Sequence, residues 1–407
     1  MSLAKITTIL LSLSAGIAVA QTAPEPTKTF NEKFELHGYG EITYNNFDWE
    51  TYPDKRNNID LNRVVFEPEY AFSDKLKLEM EIEFEHGGTG STMEFDKFEE
   101  FGEFEMEIEK GGEVIIEEIE LAWQIKPWLE LKAGRLDVPV GHIAAYGEPL
   151  DYLTTTYNNV EAALIPAQWY EYGIGAEAEW KNFTFELSLI NGLDNSAFSS
   201  ANWIQRGNQS RFEYVNAAAF AIAARADYAF SDDIVTGISF YTGNTTPNRP
   251  KPDITADGFV QLADIHLHAK FGGFTVNGLL LSGSLQNAEI ISEANRNLSN
   301  NLNVKRTPVA SAALGYFVEG GYNILATLNK PDHILNIFCG YYYYDSMYKT
   351  SGDIFNNPRW ERSEIRPGIN YTWNNNIAVK TDYTIRKIGI PDLNKENTFT
   401  LALAYKF

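Results

Sequence analysis

Apolar and polar residues alternate with a period of two along most of the chain. The last nine residues show it plainly: Phe399, Leu401, Leu403, Tyr405 and Phe407 alternate with Thr400, Ala402, Ala404 and Lys406. A period of two is that of a β-strand with unlike faces. Leu76–Glu85 is cleaner still, with Leu76, Leu78, Met80, Ile82 and Phe84 on one face and Lys77, Glu79, Glu81, Glu83 and Glu85 on the other. A strand face made wholly of charged groups cannot sit in a dry core, so it needs water while its opposite face needs oil. Strands of the same kind are predicted at about Phe34–Tyr44 and Leu61–Phe72. Apolar faces outward and polar faces inward describe the wall of a barrel in lipid.

The connections alternate as well. Short polar turns fall at Ser73–Lys75, Lys126-Pro127, Lys181-Asn182, Ser231–Asp233, Gly272-Gly273, Asn329–Asp332 and Asn374–Asn376. Long segments lie between them, at about Asn46–Ile59, His86–Glu113, Asp137–Gln168, Gly192–Tyr214, Asn244–Gly258, Gln286–Thr307, Ser346–Arg359 and Gly389–Thr398. Seven turns and eight loops predict an all-β fold, a closed antiparallel transmembrane β-barrel of sixteen strands with short periplasmic turns and long extracellular loops. Six of the seven turns carry a neighbouring aromatic (Phe72, Trp128, Trp180 with Phe183, Phe230, Phe271 with Phe274, and Trp373), which reads as one interfacial girdle. Phe101–Glu109 and Val114–Ile125 flank a Gly111-Gly112 turn. The expectation is a fourth strand continuing above the membrane with a return strand in the loop; were 101–109 to span, the count would rise to eighteen.

The start of the chain changes the picture of where it acts. Lys5, the apolar Ile6–Leu13 and Ala18-Val19-Ala20 predict a secretory signal peptide over 1–20. A short periplasmic segment, 21–33, would follow, and then the barrel, 34–407. No later run approaches the roughly 18–20 apolar residues of a spanning helix. The expected location is the bacterial outer membrane, among its lipid and lipopolysaccharide. Net charge is −22, which argues against nucleic acid as a partner. The single cysteine, Cys339, permits no internal disulfide and falls on the lipid face by parity.

From Glu103 onward the chain resembles the phosphate-selective porin (O and P) family, in particular its Bacteroidetes-like outer-membrane members. The resemblance is carried by EKGGEVIIEE (109–118), LKAGRLDVPVG (131–141), YGEPLDY (146–152), IPAQWYEYGIG (165–175), LINGLDN (189–195) and GYFVEGGYNIL (315–325). It implies a sixteen-stranded passive diffusion channel, typically a homotrimer, with a long third loop folded into the lumen. Here that loop is about 137–168, with Pro139, Pro149 and Pro166 to stiffen it.

The family name implies basic residues along the pore, and this sequence departs from that. Alternation places Glu79, Glu81, Glu83, Glu118, Glu120, Asp264 and Asp382 on the polar face, with many further acids, against few bases, among them Lys132, Arg225, Lys380 and Arg386. A cleft lined by one sign of charge enriches the counter-ion. With a Debye length of roughly 8 Å at physiological salt, the expected result is weak cation preference in the passage of small hydrophilic solutes and ions. Two alternatives stand beside it. The acids crowd the outer rim and bind divalent ions with lipopolysaccharide, or a local basic track of Lys132, Arg135, Arg225, Lys380 and Arg386 selects phosphate or oligoanions. Asp264, His266 and His268 share a strand face and read as pore-lining residues, not a metal site. Tyr342 and Tyr344 are expected inward, Tyr341 and Tyr343 outward. No G-x-S-x-G, H-E-x-x-H or Walker loop occurs, so neither an enzyme nor a cofactor is expected, and an adhesin is disfavoured by acidic, Asn-rich loops.

Overall fold

A computed structural model describes residues 33–95, 106–209, 214–298, 307–328 and 332–407. The expected signal peptide, nearly all of 21–33, residues 101–105 and parts of the segments near 299–306 and 329–331 lie outside the described residues. Sixteen antiparallel strands close on themselves. They are β1 (Phe34–Trp49), β2 (Asn58–Ser73), β3 (Leu76–Phe95), β4 (Met106–Lys126), β5 (Leu129–Asp137), β6 (Tyr170–Trp180), β7 (Phe183–Asn191) and β8 (Phe220–Ser231). The second half comprises β9 (Ile234–Asn244), β10 (Phe259–Phe271), β11 (Phe274–Leu285), β12 (Ala312–Asn323), β13 (His333–Lys349), β14 (Glu361–Trp373), β15 (Ile377–Ile388) and β16 (Glu396–Lys406).

The C-terminal strand completes the wall. β16 pairs with β1 from Tyr39↔Lys406 to Trp49↔Glu396, and Gly38 and Phe407 exchange backbone hydrogen bonds of 3.1 and 2.9 Å. Closure leaves no unpaired edge, which hydrocarbon requires. Burial alternates as the sequence predicts. On β10, Ile265 is 57% exposed on the outer face while Asp264 and His266 are buried inside. Cys339, Tyr341 and Tyr343 stand outward, whereas Tyr342 and Tyr344 are buried.

Two expectations need correction. There is no turn at Gly111-Gly112: β4 runs unbroken from Met106 and pairs with β3 as far as Phe95↔Met106. The positive φ angles of Gly87, Gly88 and Gly112 belong to a bulge where the register shifts between Glu85 and Gly90. The hairpin rises beyond the wall and the count stays at sixteen, since 20- and 21-residue strands far exceed the roughly 9–11 residues that cross a bilayer.

The inner face is also not polar throughout. Toward the long loops, Tyr241, Val260, Leu262, Leu281 and Leu285 point inward and join Leu193, Phe198, Trp203, Ile204 and Ile291 in one buried apolar cluster. These partners come from the segment after β7 and from the helix Ala288–Arg296. The core of this barrel is therefore inside its mouth. Period-two alternation distinguishes the two faces of a strand but not water from a folded loop on the inner side.

Candidate functional site

The segment joining β5 to β6 is the longest connection described, residues 138–169. It holds two short helices, Ile143–Tyr146 and Asn159–Leu164. Its contacts reach strands far apart in the wall, as only a segment inside the barrel can. Gly141 donates its amide to Asp264 Oδ2 on β10 (3.0 Å) and accepts Arg225 Nη1 from β8 (2.7 Å). The amide and hydroxyl of Thr155 both donate to Asp382 Oδ2 on β15, each at 2.8 Å. Asn159 donates to Glu364 on β14 (2.9 Å), and Tyr152 to Glu41 on β1 (2.9 Å). Val160 and Leu164 complete the seat, facing Gly315, where an added Cβ would collide with both.

The loop is tied to itself through Glu161, which is fully buried. Its carboxylate accepts the amides of His142 (2.8 Å) and Ile143 (3.2 Å) and the side-chain amide of Asn158 (2.6 Å). Burial outweighs these bonds and raises the carboxyl to about 7. His142, packed against Tyr146, is held well below the usual histidine range by burial and then by His268 and His266.

Seated this way, the loop covers one side of the interior and leaves the other open. Arg225, Asp264, His266, Lys380 and Asp382 are each at most 4% exposed. His266 bridges Asp264 (2.7 Å) and Asp227 (2.8 Å) through its two ring nitrogens, and His268 pairs with Asn277 (2.7 Å), so both are engaged by side chains. Opposite, between the loop and β1–β5, lies a cavity of about 180 Å³ lined by Tyr39, Arg63, Glu67, Glu81, Glu118 and Asp137 from the wall and by Ala144, Ala145, Gly147 and Glu148 from the loop. It continues toward the short turns into a space of about 550 Å³ that shares Glu67, Glu81, Glu118 and Glu148 and adds Glu69, Glu79 and Lys406.

The charges divide sharply. Among the described residues, the carboxylates of Glu67, Glu118, Asp137 and Glu148 have no ion-pair or hydrogen-bond partner, and burial, followed by Asp151, raises that of Glu148. Glu81 accepts only hydroxyls, from Tyr39 (3.1 Å) and Tyr170 (2.8 Å). Most bases of the inner wall are compensated; Lys406, at the short-turn end, has no ion-pair partner among the described residues. Lys132 lies within 3.3 Å of Glu120 and 3.7 Å of Glu177, Arg63 within 3.3 Å of Glu83, and Arg386 within 2.7 Å of Glu364 and 3.4 Å of Glu396. Lys77 holds Glu79 at 3.2 Å. Arg135 stands apart: it shares the parity of the exposed Leu131 and Ala133 and bonds the Ile116 carbonyl and Glu117 (3.2 Å).

Of the residues singled out from sequence, Glu79, Glu81 and Glu118 meet at the open cavity. Glu83, Glu120 and Lys132 sit in ion pairs beside it, Arg386 pairs with the Glu364 that receives Asn159 of the loop, and the five under the loop form the loop's seat. Arg63, Tyr39, Tyr170, Asp137, Glu148 and Glu161 were not foreseen. Arg63 shares its parity with Glu67 and Glu69, a usable signal obscured by apolar Leu61 and Val65 on the same face. The loop residues carry no periodicity to read.

No family model matches this chain. It is 26% identical over 399 residues to a protein of Aquifex aeolicus (strain VF5) of uncharacterized role, covering 95% of this chain and 84% of that one. Among solved structures it resembles the outer membrane channel DcaP of Acinetobacter baumannii (TM-score 0.56, 12% identity, 92% of this chain and 97% of that one). It also resembles the anion-selective porin of Comamonas acidovorans (TM-score 0.53, 8% identity, 92% and 99%) and the trimer form of OmpT, an outer membrane protein of Vibrio cholerae (TM-score 0.51, 12% identity, 92% and 99%). At these identities the likeness is one of fold.

Proposed function

We propose that this chain is an outer-membrane porin that passes small hydrophilic solutes and ions by diffusion, with weak cation preference, and assembles as a homotrimer. The observation that carries the reading is the one-sided charge of the open passage. Glu67, Glu118, Asp137 and Glu148 border it without a partner, while Arg63, Lys77 and Lys132 are each matched by a carboxylate. Lys406, at the short-turn end, shares the adjoining space with Glu67, Glu118 and Glu148 and is itself unpaired among the described residues. Unpaired charge in a narrow, low-dielectric cleft focuses the potential and draws the opposite ion. The apolar outer face, with Ile174, Leu187, Leu189 and Ile265 exposed, supports residence in lipid. The trimer form of the Vibrio OmpT, and solved channels among the similar folds, support the assembly and the transport role.

The phosphate-selective alternative relies on a free basic track, and that support is thin: Lys132, Arg135 and Arg386 each face carboxylates, while Arg225 and Lys380 lie under the loop. Purified protein added to a planar bilayer in KCl tests the transport reading. Stepwise conductance increments are expected. An electrically silent protein that inserts fully would overturn it in favour of an adhesin or an enzyme of the barrel rim.

A further inference from the structure

We infer that Lys380 is a positioning residue: it sets the aperture by clamping the main chain of the inner loop, and its charge takes no part in selecting ions. This inference rests on the porin reading. Lys380 is 1% exposed and, among the described residues, has no carboxylate within ion-pair distance. An ammonium has three N–H donors and no acceptor. Here the carbonyls of Pro149, Tyr152 (2.9 Å) and Thr154 (3.1 Å) receive them. The ring of Tyr152 lies 4.1 Å from Nζ and adds a cation–π contact. A buried charge is tolerated only where it is fully hydrogen-bonded, so lifting this stretch of loop would strand the ammonium in a dry site. The clamp is therefore stiff in proportion to what its release costs.

Its position gives the clamp a purpose. A second anchor lies upstream, where Gly141 is held from both sides by Arg225 and Asp264. Between the anchors run residues 142–148, and it is Ala144, Ala145, Gly147 and Glu148 that line the cavity across from Glu67 and Glu118. The width of the passage is thus the distance from a span pinned at both ends to the β2–β4 wall. Lys380 lies against residues 149–154, at the downstream end of that span, and is not among the residues that line the cavity.

Two measurements on the full-length protein in bilayers and detergent test this. In the first, Lys380→Met raises single-channel conductance about twofold or more and speeds entry of larger sugars, while the sign of the zero-current potential is kept; Lys380→Arg, which retains the charge and donors, moves conductance back toward wild type. Unchanged conductance with a shift toward cations would mean that the Lys380 charge faces the ion path, and would overturn the inference. The second needs no variant and so survives a misfolded one. Brief treatment of the native protein with an amine-reactive reagent, followed by peptide mapping, should modify Lys77 and Lys406 and spare Lys380. Labelling of Lys380 at the rate of the exposed lysines would contradict the clamp. A wild-type barrel that conducts nothing fails the transport reading instead, and the labelling result still judges the clamp.

Discussion

Glu161 accepts the amide of His142 at 2.8 Å and so joins the first helix of the inner loop to the second. Because burial raises this carboxyl to about 7, above the 4.5 usual for a glutamate, folding favours the protonated form. That contribution is fully present below about pH 4.5 and is lost as pH rises through 7. Glu161→Gln removes the titration. The stability of wild type relative to this variant, read from thermal or denaturant unfolding, is expected to fall between pH 4.5 and 7.5 by on the order of 3 kcal/mol at most. A difference that does not vary with pH would contradict the assignment.

Gly141 has φ of +90°, and a Cβ there would collide with Glu161 Oε1. Gly141→Ala meets both backbone strain and the latch itself, so a loss of roughly 1–3 kcal/mol is expected. Calorimetry should show it, together with faster proteolysis between residues 141 and 161. Gly320, whose added Cβ meets nothing within 4 Å, is the control, and Gly320→Ala should leave both unchanged.

Trp203 is 1% exposed, packs against Gly283 of β11 and donates its indole N–H to the Ala310 carbonyl at 3.1 Å. Trp203→Ala leaves a cavity in the apolar plug and should cost about 3–5 kcal/mol. Denaturation followed by the remaining tryptophans measures it. A cost below about 1 kcal/mol would mean that this loop is not packed inside the mouth.

Sequence alternation was sufficient for the wall. Phe399–Phe407 and Leu76–Glu85 show their faces without help, and the spacing of turns yields sixteen strands, because lipid on one side and closure on the other leave few alternatives. The interior was legible only in part. Parity places Glu81, Glu118 and Asp264 inward alike, yet one meets two tyrosines, one meets open space and one is covered by Gly141. What separates them is the course of residues 138–169, and a loop has no period from which its partners can be read. For the same reason Tyr241, Leu262 and Leu281 stand inward against a sequence expectation of polar neighbours. The Gly111-Gly112 pair misled differently, since a bulge and a turn both use a glycine at positive φ, here Gly112.

Neutralising the unpartnered acids should weaken selection while sparing the fold. Glu67→Gln with Glu118→Gln removes two carboxylates that hold no structural bond and lie on the same cavity. The cation-to-anion permeability ratio should move toward unity, with the larger effect at low salt, where screening is weaker. A ratio that stays fixed from 0.01 to 1 M KCl would place these groups away from the ion path.

The central claim is that the open side of the barrel carries unpaired negative charge where ions pass. The zero-current potential of the wild-type protein in a planar bilayer, under a tenfold KCl gradient, tests it most directly. A potential of the cation-selective sign is predicted. A potential of the anion-selective sign would contradict the account, because it would mean that the bases paired here with Glu83, Glu120 and Glu364 govern the passage after all.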